Sequence, residues 1–229
     1  NFIRLFDSTS SRNIQNLQRD FIANASHELK TPISVIIGYC ETLLNDKNED
    51  EKVKEKFLKT MAKEATRMSS LVNDLLSLTR IERIEHSPPN EKVDLGEIIK
   101  EVEQICIDRD LFKKIKCKFK IIKKKNEIIG DSPELKQVFL NIIENAVTHS
   151  NSKKTVIVKL ENVNSSVNFS VEDFGIGIPN ENIPLLTKRF YRVDEARSRN
   201  SGNTGLGLSI VKHIVNRHNA EPDIASIEG

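Results

Sequence analysis

The chain has 229 residues, with 35 Lys and Arg against 33 Asp and Glu, a net charge of +2, and only 5% aromatic residues without any Trp. So small a net charge argues against nucleic acid or an anionic membrane surface as the main partner, and no stretch approaches the roughly 18 consecutive apolar residues of a membrane span. Cys40, Cys106 and Cys117 are scattered without metal-ligand spacing, which fits a reduced, cytosolic compartment and argues against a disulfide framework or zinc site.

Residues 1–10 read as the tail of a preceding domain, with Phe2, Ile3, Leu5 and Phe6 suited to a closing strand. The absence of an initiator Met and the abrupt end at Gly229 suggest a fragment. From residue 11 to 45 apolar side chains recur at Ile14, Leu17, Phe21, Ala25, Leu29, Ile33, Ile36, Cys40 and Leu43. Steps of three and four predict a long amphipathic helix with a heptad-like seam. A polar turn follows, then a second helix carrying Val53, Phe57, Met61, Ala65, Met68, Val72, Leu75 and Leu78. Two antiparallel helices with single apolar stripes bury them poorly alone. A second copy would complete a four-helix bundle, so a homodimer through residues 11–84 is expected.

Within the first helix lies Phe21-Ile-Ala-Asn-Ala-Ser-His-Glu-Leu-Lys-Thr-Pro32. At about 100° per residue, Phe21, Ala25 and Leu29 share the apolar stripe and His27 falls on the wetter side. Thr31 sits one turn further on, and Pro32 removes the N–H that would pair with the Glu28 carbonyl and predicts a bend. An exposed imidazole beside a carboxylate is either a nucleophile or an inert surface histidine. The stretch by itself leaves both open.

After the linker His86-Ser-Pro-Pro-Asn the pattern changes to α+β. Val93-Asp-Leu suggests a short strand and residues 96–110 a helix. Residues 114–122 alternate apolar with Lys, as in a half-buried strand. No aromatic platform accompanies those lysines, so a solvated sheet face is preferred over a nucleic-acid patch. Glu127-Ile-Ile-Gly suggests a strand. Asp131-Ser-Pro-Glu opens a helix reaching about Thr148, with Ser132 expected as N-cap and Pro133 at the first helical position. Residues 155–160 and 167–171 suggest two more strands, residues 206–217 a helix, and residues 223–227 a last strand.

Three features of this half belong together. Asn141 and Asn145 lie one turn apart on a helix, where amide oxygens can help hold a hard cation such as Mg²⁺. Asp173-Phe-Gly-Ile-Gly-Ile-Pro follows a strand; its carboxylate can accept from an exocyclic amine while Gly175 and Gly177 let backbone approach a flat base. Gly202-Asn-Thr-Gly-Leu-Gly-Leu opens a helix, whose free N–H groups suit phosphates. Neither glycine motif is a P-loop or a dinucleotide fingerprint. Residues 174–204 have hinge glycines, few core-type side chains, and Arg189, Arg192, Arg197 and Arg199 to meet phosphates, so a mobile lid of low stability is expected there.

This set resembles the bacterial sensor histidine kinases of two-component systems. Ser26-His-Glu-Leu-Lys-Thr-Pro resembles their phosphoacceptor box, residues 141–145 the N box, and residues 173–177 the first glycine box. Lys188-Arg-Phe-Tyr-Arg-Val-Asp resembles the F box and residues 202–208 the second glycine box. The segments from Leu186 and from Ile210 are most similar to the phosphate-regulon sensor kinases, and residues 1–9 to the closing strand of a PAS domain. The resemblance implies a multidomain α and α+β chain. Residues 11–87 would form a dimeric histidine-phosphotransfer hairpin, and residues 88–229 a Bergerat-type α/β sandwich that binds ATP, truncated at its end. It implies His27 as phosphoacceptor, Glu28 as general base, and Thr31 in dephosphorylation of a response regulator, unless Thr31 merely stabilises the helix before Pro32. It implies a nucleotide site of Asn141, Asn145, His149, Asp173, Gly175, Gly177, Arg192, Thr204, Gly205, Leu206 and Gly207, with Asn145 for Mg²⁺. It implies a cytoplasmic location, with anchoring in the bacterial inner membrane through segments absent from this fragment.

The sequence departs from the family at Thr148-His149, where Lys-Tyr is usual, and at Asn203, where a second Gly is usual. A topoisomerase- or chaperone-type ATPase would carry Glu at position 141 and would leave the His27 hairpin unexplained. A degenerate kinase serving as a nucleotide- and regulator-binding scaffold is the other alternative.

Overall fold

The structure, a computed structural model, describes residues 9–45, 50–113, 115–121, 126–151, 154–163, 166–193 and 203–228. The strand expected within residues 1–9 and Arg197 and Arg199 lie outside the described residues. The chain divides into two compact units, residues 1–73 and 74–229.

The first unit is a helical hairpin. Helix α1 (Thr9–Asn45) runs through Pro32 without interruption, and α2 (Glu51–Ile84) returns. Asp50 caps α2 by accepting from the Lys52 N–H at 3.1 Å, satisfying a first-turn donor that has no helical partner. The Tyr39 and Phe57 rings join the two helices with centroids 4.6 Å apart. Pro32 and Leu71 are buried, whereas Ile22, Ile37, Leu44 and Leu58 remain 50–76% exposed. A single hairpin therefore leaves much apolar surface bare.

The second unit includes the last turns of α2. Strand β1 (Lys92–Asp94) leads into α3 (Leu95–Asp108), which Asp94 caps through the Gly96 N–H at 2.7 Å. Strands β2 (Cys117–Ile121) and β3 (Glu127–Ile129) follow, then α4 (Ser132–His149), β4 (Val156–Val163), β5 (Ser166–Glu172) and α5 (Gly207–Arg217). The N-cap of α4 is Asp131, not Ser132: its carboxylate accepts from the Glu134 N–H at 3.1 Å. Pro133 has no N–H to offer, so the first donor within reach of a capping side chain is that of Glu134.

β1 pairs antiparallel with β3, while β2 lies parallel and β5 antiparallel to the central β4. Val156, Val158 and Leu160 alternate along β4 and are fully buried, which is the period-two signature of one sheet face turned to the core. Helix α4 packs on β4 and β5 and between α3 and α5. The Phe139 and Phe169 rings lie 4.2 Å apart, and Ile99, Val102, Ile143, Ile210 and Ile214 are fully buried among the helices. Each such side chain contributes about 1.5–3 kcal/mol of burial.

The strand expected at residues 223–227 is not formed. Ser226 Oγ instead accepts from the Ile178 N–H at 2.9 Å, and Ile227 is 91% exposed. With no buried face and no backbone ladder, the segment runs irregularly beside the turn at Gly177, whose φ of +74° only glycine adopts without strain.

Candidate functional site

In the hairpin unit, α1 holds His27 exposed. The neighbouring Glu28 is half-buried, and its Oε2 accepts from Arg67 Nη2 of α2 at 3.0 Å. Arg67 Nη1 also lies 3.8 Å from Glu64. Sequence reasoning paired Glu28 with the imidazole alone; the arginine lies 39 residues away and carries no local signal. The Thr31 hydroxyl donates back to the His27 carbonyl at 3.3 Å while its side chain stays exposed. That bond adds a donor one residue before the carbonyl that Pro32 leaves short.

In the second unit, α4 places Asn141, Asn145 and His149 at four-residue intervals along one face. Asn141 Nδ2 donates to the Gly207 carbonyl at 3.2 Å, tying α4 to the start of α5. Asp173 stands exposed just beyond β5, its Oδ1 accepting from the Gly175 N–H at 2.8 Å. Gly175 bridges to Ser150 at the end of α4, so the first glycine segment and the α4 face are neighbours.

The second glycine segment closes on the same region. Asn203 Nδ2 lies 3.1 Å from His149 Nε2, and Arg192 Nη2 donates to the Asn203 carbonyl at 2.7 Å. Gly205 takes φ +76°, and its carbonyl accepts from the Phe190 N–H at 2.9 Å. Leu206 is fully buried and Thr204 nearly so, so neither side chain faces solvent. The Thr204 hydroxyl donates to Asp74 Oδ2 at 2.6 Å and accepts from the Leu206 N–H at 3.2 Å. No side chain caps α5 at Leu206, which leaves the first-turn N–H groups of that helix oriented for an anion.

The structure thus places Asn141, His149, Gly175, Asn203 and Gly207 along the C-terminal half of α4. A divalent cation fits this donor set through the side-chain amide oxygen of Asn145, which is half-buried on the same face of α4 as Asn141 and His149. No group of three or more His, Cys, Asp or Glu side chains that could hold a metal occurs among the described residues. A cation here would take most of its ligands from phosphates and water.

The described part of the expected lid is stitched by short turns. Asn182 N–H reaches the Pro179 carbonyl at 2.9 Å, and the Tyr191 hydroxyl donates to Asn182 Oδ1 at 2.9 Å. Arg189 pairs with Glu82 of α2. His213 of α5 has acidic neighbours from α2 and the segment that follows it. Its Nδ1 lies 2.9 Å from Glu85 and its Nε2 3.6 Å from Glu82. Those acids are remote in sequence and meet it only in the fold.

A mixed sheet under helices, with the Asn141 amide tied to an uncapped helix start, makes an α/β sandwich preceded by a helical hairpin. Residues 17–84 match the family described as His Kinase A (phospho-acceptor) domain, and residues 130–229 that described as Histidine kinase-, DNA gyrase B-, and HSP90-like ATPase. The chain belongs to the sensor histidine kinases. It is 34% identical to the phosphate regulon sensor protein PhoR of Pseudomonas aeruginosa, over 97% of this chain and 50% of that protein. It is 36% identical to the sensor protein kinase WalK of Staphylococcus aureus, over 98% of this chain and 54% of that protein. The chain therefore spans about half the length of these relatives. Among solved structures, the Acinetobacter baumannii histidine kinase AdeS has the same fold, with TM-score 0.63 at 24% identity over 83% of this chain and 86% of that one. Histidine kinase ThkA, solved in complex with response regulator protein TrrA, gives TM-score 0.64 at 21% identity over 93% and 59% of the two chains.

Proposed function

We propose that this chain is the catalytic core of an ATP-dependent protein-histidine kinase that phosphorylates itself on His27 and passes the phosphoryl group to an aspartate of a response regulator. The observation that carries this reading is the exposed His27 beside an anchored carboxylate, in a chain whose other unit has the ATPase-type fold. The Nε2 lone pair of neutral His27 forms the N–P bond to the γ-phosphorus as the bond to the bridging oxygen breaks and ADP departs. Glu28 accepts the Nδ1 proton of the imidazolium so produced. The phosphoryl group then moves to a carboxylate oxygen of the regulator, which regenerates His27. Phosphoryl chemistry of this kind depends chiefly on positioning and charge stabilisation.

Asn145 and Asn141 would carry the Mg²⁺ end of the nucleotide, and Asp173 the adenine amine. Gly175, Gly177, Gly205 and Gly207 would form the pocket walls, with His149 and Arg192 beside them. Residues 11–87 would serve as phosphotransfer hairpin and residues 88–229 as ATP-binding domain. The bare apolar side chains of the hairpin support a homodimer through residues 11–84. The likeness to PhoR supports a role in phosphate-regulon-type signalling, and Thr31 a phosphatase activity toward the regulator.

Incubation with γ-labelled ATP and Mg²⁺ tests this directly. The protein should acquire acid-labile, base-stable label, and His27→Gln should acquire none. Label that persists in His27→Gln overturns the assignment. The Thr148 departure is the single support for a nucleotide-binding scaffold as the alternative, and absence of label in the wild type, with nucleotide bound, would establish it.

A further inference from the structure

Asp74 is the first residue of the second unit and carries a half-buried carboxylate that the proposed reaction does not use. It accepts the Thr204 hydroxyl at 2.6 Å, the short geometry of a charge-assisted bond. A threonine hydroxyl has one proton. With that proton given to Asp74, the oxygen can only accept on its other side, and there it receives the Leu206 N–H at 3.2 Å. The carboxylate thereby sets the direction of the hydroxyl, and the hydroxyl holds the turn that opens α5. One residue on, the Gly207 carbonyl takes Asn141 Nδ2 at 3.2 Å. Three residues along α2, Ser77 Oγ donates to Gln137 Oε1 of α4 at 2.8 Å, so both ends of this chain of bonds rest on α4. Burial pushes the Asp74 carboxyl above its usual range, and the Thr204 bond opposes that shift.

We propose that Asp74 is a positioning residue of the nucleotide site: by fixing the Thr204 hydroxyl, it holds the Thr204–Gly207 turn in the conformation that presents the α5 N–H groups to phosphate. This rests on the reading of the second unit as an ATP-binding module. It assigns Thr204 to the support of the site rather than to direct contact with nucleotide. It also makes the last turns of α2 part of the nucleotide-binding machinery.

The test measures dissociation constants of a non-hydrolysable ATP analogue with Mg²⁺ for the whole chain. Asp74→Ala and Thr204→Val should each weaken binding about tenfold, as loss of a charge-assisted bond predicts. Thr204→Ser, which keeps the hydroxyl, should stay within about twofold of wild type. The double variant Asp74→Ala/Thr204→Val should be no weaker than either single, because one interaction is removed once. Unchanged affinity in both singles, a double variant additive at about a hundredfold, or Thr204→Ser as weak as Thr204→Val overturns the proposal. Circular dichroism monitors folding. Should Asp74→Ala unfold, the Thr204→Ser and Thr204→Val pair carries the same comparison. Asp173→Asn serves as control. If it too leaves affinity unchanged, the nucleotide-site reading fails; if it alone weakens binding, only the role of Asp74 fails.

Discussion

Gly205→Ala is the most exacting test of the second glycine segment. The backbone there has φ +76°, a region that costs a side-chain-bearing residue roughly 1–2 kcal/mol. An added Cβ would also lie 3.0 Å from Phe190 Cα and 3.1 Å from its carbonyl carbon. Those are backbone atoms held by the Phe190 N–H bond to the Gly205 carbonyl at 2.9 Å, so the neighbour cannot yield by rotating a side chain. The two penalties together come to about 2–4 kcal/mol. For a unit of this size about 1 kcal/mol corresponds to roughly 2–4 °C in Tm, so thermal unfolding should shift down by about 4–16 °C. Nucleotide affinity should fall with it, since the same turn opens α5. Gly38 in α1 is the contrast: a Cβ there meets nothing within 4 Å, and Gly38→Ala should stabilise its helix by about 0.5–1 kcal/mol. A Gly205→Ala protein that melts within about 2 °C of wild type and binds nucleotide normally would refute the reasoning.

Arg217 and Glu134 form a pair at 2.6 Å with side chains only 10% and 6% exposed. Arg217→Met should cost about 3–5 kcal/mol in chemical denaturation by leaving a buried carboxylate unpaired, and replacing both by apolar residues should recover most of the loss. Burial raises the thiol of Cys106 to about 12 and that of Cys117 to about 11. At pH 8 both should resist alkylation until the protein is unfolded, as peptide mapping would reveal. The sign for stability follows: above pH 9 the unfolded chain loses thiol protons that the folded chain keeps, so stability falls as pH rises from about 9 toward 12. A melting temperature that rises over that interval would contradict the burial of these thiols. Thr31→Ala should keep labelling of His27 but slow dephosphorylation of the regulator. If both activities fall together, the Thr31 hydroxyl serves the helix turn at the His27 carbonyl instead.

The order of the boxes, the two long helices and the alternating strands are legible because each is written in local periodicity or in residues a few positions apart. Leu29 declares its face through spacing alone. The cap of α4 shows where such reading blurs: Asp131 and Ser132 are both good capping residues, and only the reach to the Glu134 N–H separates them. The strand expected at residues 223–227 fails for a related reason, because alternation cannot show whether a partner edge is there to complete the ladder. What tertiary structure alone decided are the partners of charge and hydroxyl. Arg67 reaches Glu28 across 39 residues, Glu85 reaches His213 across 128, and Asp74 reaches Thr204 across 130. Such pairs depend on where helices cross and on which groups are then stripped of water together. A sequence lists these charged residues without saying which will share a low-dielectric surface, and that choice is made by the packing of the apolar faces.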